Sequence, residues 1–76
     1  MAKVIASTPG GVMQIVEDEG NFELLLDGVE QHVTSTRAEM IEVLTRMQEL
    51  AIEDETTLET LSNIKWVLVH QEFFGA

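Results

Sequence analysis

Two histidines, three serines and two Glu-Asp-Glu tripeptides are the residues of this chain whose types invite a chemical reading. A histidine is the default general base or metal ligand near neutral pH. His32 and His70 form no two-histidine pair at helical spacing, and the chain has no cysteine with which to build a mixed cluster. His32 is expected opposite Glu23 on a sheet face, where a surface ion pair is the simpler use. His70 falls near the end of the last element, where a cationic side chain favours a helix C-terminus. Ser7, Ser35 and Ser62 lie in no Gly-x-Ser-x-Gly elbow, and none is expected to act as a nucleophile. Gly10-Gly11 precedes a strand and lacks the lysine of a phosphate-cradling loop.

The acidic tripeptides are Glu17-Asp18-Glu19 and Glu53-Asp54-Glu55. Brought together, they would offer oxygen ligands to a hard cation. The expected topology sends them to opposite ends of the domain, and neither has the spacing of a calcium loop. The expectation is therefore no catalytic residue, no metal site and no cofactor.

The elements that position these residues follow from periodicity and turn chemistry. Thr8-Pro9-Gly10-Gly11 is a turn signal, before which Lys3 to Ala6 has room for a short edge strand. Strands are expected over Val12–Val16, Phe22–Leu26 and Val29–Val33, joined by Asp18-Glu19-Gly20-Asn21 and the hairpin dipeptide Asp27-Gly28. A tight second turn sets Leu26 opposite Val29, Leu24 opposite Gln31 and Phe22 opposite Val33. With Val16 facing Phe22, the core face would carry Val12, Val16, Phe22, Leu24, Leu26, Val29 and Val33. The other face would carry Met13, Ile15, Glu17, Glu23, Leu25, Glu30, His32 and Thr34, with Met13 and Leu25 as cross-strand neighbours. A helix is expected over residues 36–53, opened by the capping box Thr36-Arg37-Ala38-Glu39. Met40, Val43, Leu44, Met47, Leu50 and Ala51 would face the sheet. A second helix is expected over 56–73, opened by Thr56-Thr57-Leu58-Glu59 and carrying Leu58, Leu61, Ile64 and Leu68. Trp66-Val67-Leu68-Val69 is apolar on every side and also fits a buried strand. Trp66 is expected in the core, and Phe73 and Phe74 as anchors. The fold class is α+β: a three-stranded antiparallel meander, with the optional N-terminal edge strand, packed on one face by two C-terminal helices.

The chain has 76 residues, enough for one domain over 1–76 with a thin stability margin and no disulfide to supplement it. Its 45% hydrophobic content marks it as folded. The first residues fall short of a secretory signal, and no apolar run approaches the roughly 20 residues of a membrane span. A cytoplasmic location is expected, that of the host if the chain is viral.

Fourteen acids against four bases give a net charge of −10. Such a chain is repelled by nucleic acid and by anionic membranes, and attracted to basic surfaces. Glu39, Glu42, Glu49 and Glu53 would line the outer side of the first helix and join the two acidic tripeptides into one band. That band could imitate the charge rows of a nucleic-acid backbone and occupy the arginines and lysines of a partner. In size and charge alone the chain is similar to small acidic inhibitors that bacteriophages make against host nucleases and defence complexes. The expected function is thus a non-enzymatic binding protein of this inhibitor type, aimed at a basic protein or nucleoprotein complex. One alternative is a homo-oligomeric subunit, such as a homodimer, assembling through Met13, Ile15 and Leu25. Another is a small-ligand or nucleotide sponge, with a pocket formed at a subunit boundary around His32, Arg37 and Arg46.

Overall fold

The computed structural model describes the backbone of residues 2–74 and the side chains of residues 2–71. The expected anchors Phe73 and Phe74 lie outside the described side chains. The elements run β1 (Lys3–Ser7), a single 3-10 turn at Pro9–Gly11, β2 (Met13–Asp18), β3 (Asn21–Leu26), β4 (Val29–Thr34), α1 (Arg37–Leu50) and α2 (Glu55–Phe74). The class is α+β, as expected. The N-terminal segment is a full strand, so the antiparallel sheet has four strands in the order β1-β2-β3-β4.

Both β2-β3 and β3-β4 hairpins close through two residues that each adopt positive φ. They are Glu19 (52°) with Gly20 (86°), and Asp27 (51°) with Gly28 (79°). This is the turn whose twist matches that of paired strands. The first turn is two residues tighter than the expected four. It pairs Asp18 with Asn21, Glu17 with Phe22 and Ile15 with Leu24.

That one-residue change of register corrects the assignment of faces, because strand side chains alternate. Met13 and Ile15 join Phe22 and Leu24 in the core against Met40, Leu44, Leu61, Ile64 and Leu68. Ile15 is fully buried, whereas Val12, expected inside, is 54% exposed. Met13 stands opposite Leu26, not beside Leu25. In β4 the register slips between Leu24 and Leu25, leaving Gln31 as the extra residue. Leu24 therefore faces His32, Phe22 faces Thr34, and Glu23 faces Val33 in place of His32. Val29 and Val33 are exposed, since β4 is an edge strand.

The 3-10 turn is held by Thr8. Its N–H donates to the Met13 carbonyl (3.0 Å), and its hydroxyl accepts the Met13 N–H (3.0 Å).

Thr36 caps α1 as expected. Its hydroxyl accepts the Glu39 N–H and donates to the Glu39 carboxylate, each at 3.1 Å. The helix stops at Leu50, three residues early, and Leu50 is 83% exposed instead of packed on the sheet. The cap of α2 is Asp54 rather than Thr56. Its carboxylate accepts the Thr57 N–H (3.1 Å) and the Thr57 hydroxyl (2.7 Å), and its carbonyl accepts the Leu58 N–H (2.9 Å). An aspartate is at least as good a cap as a threonine, so the earlier start prevails.

Residues 64–70 are helical, which decides between helix and strand. Leu61, Ile64 and Leu68 set the buried side of α2, and Trp66 lies well round from them. It is 65% exposed, against expectation, and stacks on His70 with ring centroids 5.0 Å apart. A polar chain closes the other end of the core. Arg37 sits 5.2 Å over the Phe22 ring and donates to Gln71 Oε1, while Gln71 Nε2 donates to the Ile5 carbonyl (3.2 Å).

The register generates a direct test by urea unfolding. Ile15→Ala is expected to cost about 2–5 kcal/mol, and Val12→Ala no more than about 0.5 kcal/mol. The reverse order would restore the other register.

Candidate functional site

The phase of α1 is fixed by Met40 and Leu44, which are fully buried. Glu39, Glu42, Arg46 and Glu49 are therefore turned to solvent, and all four are exposed. Glu39 and Glu49 are ten residues apart, about 15 Å along the axis. These four side chains, with Thr34, Val43 and Thr45, border a shallow open depression of about 560 Å³. The helix has 14 residues, about 21 Å. That is shorter than expected, so Glu53 belongs to the turn between the helices rather than to the helical stripe.

Glu17, Asp18 and Glu19 surround the β2-β3 turn, near the Arg37 end of α1. Glu53, Asp54 and Glu55 lie at the far end, where Thr56 and Thr57 approach Val12, Met13 and Leu26. The two tripeptides thus occupy opposite ends of the domain, joined by the outer side of α1. The charge does not stop at this band. Glu23 and Glu30 lie on the strands and Glu59 on α2.

Arg37 and Lys65 bond to glutamines within the fold. Arg37 is held by Phe22 and Gln71. Lys65 Nζ donates to Gln48 Oε1 (3.3 Å). Lys3 pairs in register with Glu17. Arg46 alone stands inside the acidic stripe of α1, between Glu42 and Glu49.

The surface expected for oligomerisation does not form as a unit. Met13 and Ile15 are buried under the helices, and only Leu25 of the three is on the open face of the sheet. That face carries the row Val4, Val16, Glu23, Val33, with Val4 and Val33 about half exposed. Arg37, expected with His32 and Arg46 at a subunit-boundary pocket, lies over Phe22 and bonds Gln71 within the chain.

One spacing escaped the sequence reading. Ser62-Asn63-Ile64-Lys65 places a lysine three residues after a serine, the arrangement of some hydrolase nucleophiles. Here the Gln48 amide stands between them. Its Nε2 donates to Ser62 Oγ (2.9 Å) while its Oε1 accepts from Lys65. The pair serves as a clamp between α1 and α2.

Among the described residues no three His, Asp or Glu side chains are grouped so as to hold a metal ion. Among the same residues no helix is long and apolar enough to cross a membrane. No family model, curated protein or solved structure matches the chain.

Asp54 has a structural use besides its charge. The hydroxyl and the N–H of Thr57 both donate to its carboxylate and hold its pKa below the ordinary 3.8. The ionised form is therefore favoured by folding, and the stability it adds is complete above the ordinary value and lost as pH falls through the lowered one. Thermal melts should show Asp54→Ala below wild type at neutral pH, with the gap narrowing once pH drops beneath 3.8. A gap that widens in acid would contradict the assignment.

Proposed function

We propose that the chain works by binding and not by catalysis, as a small acidic inhibitor of the kind phages deploy against host defence. It would act in the cytoplasm by occupying the basic, nucleic-acid-binding surface of a protein or nucleoprotein complex. The observation that carries this reading is the line of exposed Glu39, Glu42 and Glu49 on one rigid helix, continued by an acidic turn at each end. A helix with its apolar side locked in a core presents charge without ordering cost on binding, which favours a preorganised mimic. Phosphate-binding lysines and arginines of the partner would be its targets.

A second reading has its own observation. Val4 and Val33 are half exposed around Glu23 on the open face of the sheet, which fits a homodimer assembled there. In that case sedimentation would give a dimer for wild type and a monomer for Leu25→Glu; a wild-type monomer removes this reading.

The test of the main reading is capture from the cells that carry the chain, followed by mass spectrometry. The retained proteins should be basic nucleic-acid binders, and raised salt should release them. The combined variant Glu39→Lys, Glu42→Lys, Glu49→Lys should keep its circular dichroism spectrum and lose at least about tenfold in affinity for the captured partner. Salt acts with opposite sign on the free chain, since it screens the self-repulsion of fourteen acids and should raise the melting temperature. Retention that survives the triple reversal unchanged ends the proposal.

A further inference from the structure

The two edges of the sheet are not alike. Helix α2 reaches the β1 edge strand, where Gln71 bonds the Ile5 carbonyl and the strand bulges between Val4 and Ala6. The β4 edge also bulges, at Gln31, and also touches a helix, α1, but its residues 29–33 are all exposed, whereas Ile5 and Ala6 of β1 are covered. Of the devices that blunt an edge strand, β4 has a bulge and the charge of Glu30, but neither lysine nor proline in its six residues, Val-Glu-Gln-His-Val-Thr. Gln31 bonds back to the Val29 carbonyl at 3.3 Å, a contact within the strand itself. In an edge strand alternate residues direct their N–H and C=O groups outward, where another strand can take them up.

The surroundings of this edge say what would take them up. Glu30 is exposed on the strand, and Thr34 opens into the depression walled by Glu39 and Glu42. A strand laid against β4 would alternate its side chains between these two acidic settings, with Val29 and Val33 as apolar contacts between them. A second copy of this chain would bring another net charge of −10 to the same place. Charge therefore selects a basic occupant over self-pairing.

We infer that β4 accepts an extended lysine- or arginine-bearing segment of the partner as a fifth strand. Main-chain hydrogen bonds supply the pairing, and the acids on either side of the sheet select the basic sequence. This inference rests on the acidic-docking reading above and adds the geometry by which a partner is held.

The probe is a synthetic eight-residue peptide alternating lysine and valine, compared with the same peptide N-methylated at alternate amides. Methylation keeps every charge and removes the hydrogen bonds of one edge. Calorimetry should show the parent peptide binding, with the methylated one weaker by about tenfold or more. Amide hydrogen exchange should slow along β4 only with the parent. Glu39→Gln combined with Glu42→Gln should weaken both peptides. Equal binding of the two peptides overturns strand addition while leaving the electrostatic reading in place, which the charge variant reports separately. No binding of either peptide also overturns it, and the docking reading then stands or falls on the capture experiment. Sedimentation showing a dimer of the free chain with β4 amides already protected overturns it in favour of a second copy.

Discussion

Two residues between Asp18 and Asn21 decide which side of this sheet is core. Glu19 and Gly20 both take positive φ, so β2 and β3 close without a spare residue and Ile15 falls opposite Leu24. A turn of different length would exchange the faces of β2 and present Met13 and Ile15 to water. The helices could not correct such an error. Met40, Leu44, Leu61, Ile64 and Leu68 supply apolar side chains to whatever the sheet offers, and they need Met13, Ile15, Phe22 and Leu24 together to close the core. In a chain without cysteine, that shared cluster is what holds the layers.

The parts of the fold legible in the sequence are those set by local chemistry. The Asp27-Gly28 turn, the Thr36 cap and the Leu61, Ile64 and Leu68 stripe of α2 depend on residues close together in the chain, and each forms as expected, while Leu58, expected on the same stripe, lies outside the core cluster. The faces of β2 were not legible, because they depend on the length of a turn where Asp18-Glu19-Gly20-Asn21 allows two closures. The start of α2 was misplaced because the capping-box spacing of Thr56 and Glu59 drew it two residues past Asp54, the residue whose carboxylate accepts the Thr57 N–H. Trp66 is a different case. Its phase relative to Leu61, Ile64 and Leu68 already turns it outward, and the expectation of burial came from its size, not from its position. Of the candidate surfaces, the acidic side of α1 was legible because helical phase fixes it, and the apolar interface was not because it inherited the register of the sheet.

Charge and packing are separated in this molecule with little overlap. Among the described residues no polar or charged side chain is buried. The bases that lie nearest the interior are spent on internal contacts, Arg37 between Phe22 and Gln71 and Lys65 on Gln48. Their hydrogen bonds help to join α1 and α2, and both side chains remain partly exposed. Arg46 is the cation inside the α1 stripe.

Those contacts also give the domain a direction. The Arg37–Gln71–Ile5 chain closes the β1 side, where α2 lies, and the Gln48 bridge ties α2 to α1. On the β4 side the helix is α1, which spends Met40 and Leu44 on the core and carries its acids on its exposed side. The same placement that satisfies the interior thus leaves an open strand edge beside the acidic helix. Because the bulge at Gln31 and the tight turn at Asp27-Gly28 fix the side chains of β4 with respect to α1, edge and charge are presented as one rigid unit. A partner that engages one must meet the other, and this coupling, more than the net charge, is what would let so small a surface discriminate among basic proteins.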